Sequence, residues 1–120
     1  MTDTAKIKNL TPAEVKAMQQ RGEIVLIDVR EPREYGADRI HGALNYPLST
    51  FDPAAMQLID GRTVVFQCGS GKRSAMAVER CQAAGVTIAA HMAGGIGAWQ
   101  AAGLPVITLD PATGQVVDRG

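Results

Sequence analysis

The stretch Cys68-Gly69-Ser70-Gly71-Lys72-Arg73-Ser74 carries the densest chemistry in the chain. It follows the apolar run Thr63-Val64-Val65-Phe66-Gln67 and precedes an Ala-rich segment, 76–84, that reads as a helix. A cysteine between the end of a strand and the start of a helix lies where backbone N–H groups are unpaired. The helix dipole adds partial positive charge at the same place. Gly69 and Gly71 let the intervening backbone turn its amides inward as an anion-holding nest. Lys72 and Arg73 add two formal positive charges. Each of these favours thiolate over thiol, and thiolate is the reactive form. Such a cysteine suits nucleophilic or sulfur-carrying chemistry. The competing reading is a buried structural cysteine beside a solvated basic turn, because free Cys usually behaves as a small hydrophobe.

Positioning that loop requires an ordered alternation of elements. Thr11-Pro12-Ala13-Glu14 is a capping box with proline at the first helical position, so a helix is expected over 12–21, ended by Gly22. Ile24-Val25-Leu26-Ile27 is a short apolar run rich in β-branched residues, as a strand buried on both faces would be. A helical turn is expected over 32–35, a short strand over 43–45, helix over 53–59 and a buried strand over 63–67. The helix after the cysteine ends at Gly85; a strand over 86–92 and a helix over 96–102 follow. This alternation implies an α/β fold, a parallel sheet covered by helices. Residues 1–109 then form one domain, and 110–120, polar with glycine and proline, read as a loose C-terminal tail.

Ligands of open α/β sheets bind outside the carboxyl ends of the strands. The cysteine loop lies there, and Asp28-Val29-Arg30-Glu31 should reach the same rim. Asp28 and Arg30 would orient a ligand or brace the loop, or else form a structural ion pair.

Bulk properties are those of one ordinary domain. The chain has 120 residues, 46% apolar and 20% charged, with 12 basic against 12 acidic residues. That balance argues against a protein held to nucleic acid by bulk charge. No apolar run approaches the ~20 residues a membrane span needs, and no signal-peptide core is visible. Two cysteines without C-x-x-C spacing fit neither a disulfide scaffold nor a zinc site. A reducing cytoplasm is the expected location.

Several suggestive motifs fail. Gly71-Lys72 hints at a phosphate-binding P-loop, but Phe66 stands where the first glycine belongs. Gly95-Ile96-Gly97 hints at a dinucleotide fingerprint, but Gln100 replaces its third glycine. His41 and His91 have no ligand spacing; a metal or a Cys–His pair is one reading of them, and ordinary surface or internally satisfied histidines the stronger one. Cys81 shares a helical face with Ser74, Ala77, Val78 and Ala84 and reads as core. It is an unlikely disulfide partner for Cys68, since eight helical residues beyond Arg73 span ~12 Å.

Four segments in order resemble the single-domain rhodaneses, over roughly residues 7–107. Cys68-x-x-Gly71-x-Arg73 resembles the family's active loop. Asp28-Val29-Arg30-Glu31 with Glu34-Tyr35 resembles its first signature, and Ile40-His41-Gly42-Ala43-Leu44-Asn45-Tyr46-Pro47 the segment that follows. Gly94-Gly95-Ile96-Gly97-Ala98-Trp99, with Ala102-Gly103-Leu104-Pro105-Val106, resembles the closing motif. One departure is visible: Asp38-Arg39 stand where Gly-His is common.

The resemblance implies a rhodanese-like fold, a five-stranded parallel sheet flanked by helices on both faces, and sulfurtransferase activity. Cys68 would take the outer sulfur of a donor such as thiosulfate as a persulfide, then yield it to cyanide or a thiol. The amides of Gly69, Ser70, Gly71, Lys72, Arg73 and Ser74 would stabilise the charged sulfur. Arg73 would brace the loop and Lys72 attract anionic donors. No metal or organic cofactor is implied; the partners are small sulfur donors and acceptors, or a persulfide-carrying protein. The same fold carries phosphatases and arsenate reductases, which use a longer Cys-x5-Arg loop; here the sixth position after Cys68 is Ser74. A third alternative is a non-catalytic rhodanese-like binding module.

Overall fold

The computed structural model describes residues 7–58 and 61–118. In chain order the elements are β1 (Lys8–Leu10), α1 (Pro12–Gln20), β2 (Ile24–Asp28), α2 (Pro32–Ala37), β3 (Asp38–Arg39) and β4 (Leu44–Asn45). After two 3-10 segments, Leu48–Thr50 and Pro53–Leu58, come β5 (Thr63–Gln67), α3 (Lys72–Ala83), β6 (Ala90–Met92), α4 (Gly95–Ala101), β7 (Ile107–Leu109) and β8 (Val116–Asp118).

The main sheet has five strands in the order β1-β6-β5-β2-β4, and each neighbouring pair is parallel. Every residue of β2 is buried, because helices cover both faces of the sheet. Alternation along the strands divides the core in two. Val25, Ile27, Val64 and Phe66 pack toward Ala77, Val78 and Cys81 of α3. Ile24, Leu26 and Val65 pack toward Val15 of α1 and Ile96 and Trp99 of α4. Burying one such large side chain contributes about 1.5–3 kcal/mol, so the central strands are fixed in register by both layers. That register sets the carboxyl ends of β2 and β5 side by side, with Asp28 opposite Gln67.

The capping box at Thr11 forms as its sequence requires: Glu14 N–H donates to Thr11 Oγ1, and Thr11 N–H to Glu14 Oε1. Three expectations change. The turn over 32–35 extends to a helix through Ala37, capped reciprocally by Glu31 and Glu34. The segment beginning at Pro53 is 3-10 rather than α-helical, and Ile59 lies outside the described residues. The strand expected over 86–92 is confined to Ala90–Met92, because its edge partner β1 offers only three residues.

The largest correction concerns the tail. Residues 110–118 turn back, and β8 pairs antiparallel with β7, which pairs with β3 in a second sheet of three strands. Composition reads that segment as loose because its turn, Asp110 to Gly114, is polar; Val116 and Val117 supply the strand. Among the described residues no helix is long and apolar enough to cross a membrane.

Cys81 is fully buried and its thiol is pushed up to about 11 by that burial. Cys81→Ala should therefore lower stability by about 1 kcal/mol or somewhat more. Urea denaturation measures the loss, while alkylation of Cys68 in the same variant should be unchanged. Loss of Cys68 reactivity in a folded variant would give Cys81 a chemical role.

Candidate active site

Cys68 leaves β5 at its carboxyl end, and α3 begins four residues later. Gly69, Ser70 and Gly71 form the turn, while Lys72, Arg73 and Ser74 are already the first turn of α3. Gly71, the N-cap, has φ of 101°, a left-handed conformation that favours glycine. This reversal aims amides at the sulfur. Gly71 N–H donates to Cys68 Sγ at 3.0 Å and Ser74 N–H at 3.4 Å, with Ser74 Oγ 3.6 Å away. The residue is only 1% exposed, so the sulfur sits at the floor of the turn.

Burial pushes the Cys68 thiol up, the largest single effect. The Ser74 amide and hydroxyl and the amides of Gly71 and Ser70 outweigh it together, and the pKa falls below that of an ordinary thiol. Hydrogen bonds thus favour thiolate despite burial.

The loop is held from below by α4. Ile96 N–H donates to the Cys68 carbonyl at 2.8 Å, and Gly97 N–H to the Gly69 carbonyl at 3.1 Å. Such contact needs a bare backbone. A Cβ at Gly95 would lie 2.1 Å from the Cys68 carbonyl oxygen, and φ there is +58°. The glycines of that segment therefore serve turn and packing, as their failed match to a dinucleotide motif suggests.

Arg73 reaches back across the turn and binds Glu34 of α2 through two hydrogen bonds, 2.7 and 3.0 Å. A Cβ on Gly69 would meet Arg73 Nη2 at 3.4 Å, which shows how closely the guanidinium covers the turn. Lys72 is exposed and makes no ion pair among the described residues.

Asp28 and Arg30 sit elsewhere on the rim, joined to each other. Arg30 Nε lies 3.1 and 3.0 Å from the two Asp28 oxygens, and Nη2 lies 2.8 Å from Oδ2. Its remaining donors go to Asp38, to Oδ1 at 3.0 Å and the carbonyl at 2.7 Å. Burial lowers the Arg30 pKa, but the bonds to Asp28 and then Asp38 outweigh it and raise it overall. The pair is closed and makes no hydrogen bond to Cys68. Asp38, at the position where Gly-His is common in the resembling family, completes this cluster.

Three contributors escape a reading of the sequence alone. Glu34 is legible as part of a signature, but its partner lies 39 residues away. His91 accompanies Ser74: its Nδ1 is 2.8 Å from Ser74 Oγ, and its Nε2 is 2.7 Å from Asn9 Oδ1. Its one sequence signal is a polar residue near the carboxyl end of a buried strand. Gln67, directly before Cys68, is fully buried, and its amide has no hydrogen-bond partner among the described residues. Among the described residues no three His, Cys, Asp or Glu side chains are grouped to hold a metal.

A parallel α/β sheet with a cysteine whose sulfur accepts amide hydrogen bonds at a strand's carboxyl end defines a candidate site for nucleophilic cysteine chemistry. The sequence model of the rhodanese-like domain matches residues 11–102, and the chain belongs to that family. It is 36% identical over 98 residues to an uncharacterized Synechocystis protein, covering 82% of this chain and 55% of that one. It is 38% identical over 98 residues to a probable adenylyltransferase/sulfurtransferase, MoeZ, of Mycobacterium tuberculosis, covering 79% of this chain and 25% of the relative. The chain thus spans about half and a quarter of these two relatives. With human thiosulfate:glutathione sulfurtransferase it shares 32% identity over 100 residues, 72% of this chain and 87% of that one. Among solved structures, a rhodanese-related protein of Thermoplasma volcanium superposes with a TM-score of 0.70 at 28% identity, covering 82% and 96% of the two chains. A Rhodopseudomonas palustris protein of unknown function, described as a possible tyrosine phosphatase, gives 0.71 at 33% identity, covering 83% and 84%.

The Arg73–Glu34 pair has a pH signature. Hydrogen bonds from Arg73 hold the Glu34 carboxyl down at about 2 against an ordinary 4.5, with burial opposing them. Its folded pKa is depressed, so the stabilisation is complete above pH 4.5 and lost as pH falls toward 2. Both side chains are about one-third exposed, so screening limits the pair to about 1 kcal/mol or less. Denaturation of the native chain and Glu34→Gln should show a small gap at neutral pH that closes across this window. A gap constant down to pH 2 would show that the pair does not stabilise the fold.

Proposed function

We propose that this protein is a sulfurtransferase that carries a sulfane sulfur as a Cys68 persulfide. The observation that carries this reading is the approach of the Gly71 and Ser74 amides to Cys68 Sγ, at 3.0 and 3.4 Å. In the first half-reaction the Cys68 thiolate attacks the outer sulfur of thiosulfate. The S–S bond of the donor breaks with its electron pair on the departing sulfite, and Cys68 keeps a terminal sulfur as an anionic persulfide. In the second, cyanide or a thiolate attacks that terminal sulfur, and the Cys68 thiolate is restored. Splitting the transfer in two is ordinary covalent catalysis. The same amides oppose negative charge in both the thiolate and the persulfide. Exposed Lys72 adds positive potential at the mouth and favours anionic donors.

Donor and acceptor are proposed as small molecules, with a persulfide-carrying protein fitting the same chemistry, in a reducing cytoplasm that suits two free cysteines. The names of the mycobacterial and human relatives support this class of reaction.

A phosphatase is the second reading, favoured by the description of the Rhodopseudomonas neighbour. Loop length and Arg73 argue against it. Arg73 is the fifth residue after Cys68 rather than the sixth, and both terminal nitrogens of its guanidinium are engaged by Glu34. A tetrahedral oxyanion would need a wider nest and a freer guanidinium.

Steady-state assays separate the two. The native chain should release thiocyanate from thiosulfate and cyanide and show negligible aryl-phosphate hydrolysis; Cys68→Ser should fold and release none. One glycine inserted after Ser70 should cut sulfur transfer sharply, since misplacing catalytic groups by ~1 Å can cost ~100-fold. Robust phosphatase activity without sulfur transfer, or full transfer by Cys68→Ser, would overturn the proposal.

A further inference from the structure

Resting on the reading of Cys68 as the sulfur-accepting nucleophile, we propose that His91, acting through the Ser74 hydroxyl, takes the proton of the Cys68 thiol. Four side chains stand in one line: Cys68 Sγ to Ser74 Oγ at 3.6 Å, Ser74 Oγ to His91 Nδ1 at 2.8 Å, and His91 Nε2 to Asn9 Oδ1 at 2.7 Å. The chemistry of each atom gives the line a direction. Asn9 Oδ1 can only accept, so Nε2 carries its hydrogen and Nδ1 presents a lone pair. Ser74 has a single hydroxyl hydrogen, and Nδ1 is a closer acceptor than the Gly71 carbonyl at 3.1 Å. With that hydrogen directed at Nδ1, the Ser74 oxygen offers a lone pair to the Cys68 thiol.

The transfer balances. The Cys68 S–H bond breaks and its proton binds Ser74 Oγ, while the original Ser74 proton passes to His91 Nδ1. The products are thiolate and imidazolium, with the Ser74 hydroxyl now donating to the sulfur. No proton is exchanged with solvent, which suits a sulfur at the floor of a turn.

The surroundings leave this line electrically simple. The register sets His91 beside Phe66 of β5 and Asn9 of β1. The buried residues of α3, which covers this face, are Ser74, Ala77, Val78 and Cys81. Cys81 is neutral, with its thiol pushed up to about 11. The cations of the loop are Lys72, which is exposed, and Arg73, which is tied to Glu34. Among the described residues no ion pair involves His91. Burial lowers its pKa, which keeps the imidazole neutral and ready to accept. Once formed, the imidazolium has the thiolate as its counter-charge, so the two titrate as a pair. His91 touches neither substrate nor sulfur and is therefore a positioning residue.

The test follows alkylation of Cys68 by iodoacetamide against pH, read by peptide mass with no sulfur donor present. His91→Gln keeps an amide able to bond both Asn9 and Ser74 but cannot hold the proton at these pH values. Its alkylation midpoint should rise by about one pH unit, a tenfold loss of thiolate near neutrality. Ser74→Ala should give a similar rise, and the double variant should add little to either single change. An unshifted midpoint in a folded His91→Gln protein would overturn the proposal. Should that variant not fold, nitrogen NMR of the native chain decides: over the pH range in which Cys68 first reacts as thiolate His91 should carry its second proton, releasing it to solvent only in the upper step of the pair, and an imidazole that is neutral wherever Cys68 is thiolate would overturn it equally. Loss of the relay with persulfide still formed would spare the proposed function; an intact relay with no sulfur transfer would refute that function alone.

Discussion

The Cys68 and Gly69 carbonyls accept the first amides of α4, and on this contact the rest of the site depends. Those bonds anchor the start of the turn, from which the amides of Ser70, Gly71 and Ser74 reach the sulfur. The contact is possible only because Gly95 has no Cβ: one would sit 2.1 Å from the Cys68 oxygen. Packing on both faces of the sheet fixes β5, α4 fixes the turn that follows it, and the Cys68 sulfur receives its hydrogen bonds as a consequence. The closing motif of the sequence is thus part of the cysteine loop's support.

Charge in the site is arranged by tying down what is not needed. Arg73 is engaged by Glu34, and Arg30 by Asp28 and Asp38, so neither guanidinium is left to capture an anion. The sulfur is met mainly by backbone amides, which cannot move away and carry no counter-ion. A buried pair such as Asp28–Arg30 is weak evidence for net stability, because desolvation offsets much of its attraction. Its visible effect is on geometry, joining the end of β2 to the start of β3 across α2.

Much of this was legible in the residues. The β-branched runs at Ile24 and Thr63 announce buried parallel strands, and the Thr11 capping box announces α1, because these signals are local. The position of Cys68 between strand and helix is equally local. What the sequence hides is contact across the fold. Nothing near Arg73 points to Glu34, and nothing near Ser74 points to His91, since both partners arrive only when the sheet is assembled. The tail misleads for a related reason: its polar turn masks a strand that folds back on β7 and joins a sheet only through β3, which lies far upstream. Asp28 and Arg30 were visible as rim charges, but their mutual closure needs the backbone bend at Arg30 that follows β2.

The central claim is that Cys68 accepts a sulfane sulfur and holds it within the amide cradle. Mass spectrometry of the intact chain after mixing with thiosulfate, followed by peptide mapping, tests it most directly. The account predicts one added sulfur atom, located on the Cys68 peptide, absent from Cys81 and removed by cyanide. A chain that gains no sulfur from thiosulfate or from a low-molecular-weight persulfide, while its Cys68 is shown to be unmodified and alkylatable, would contradict it.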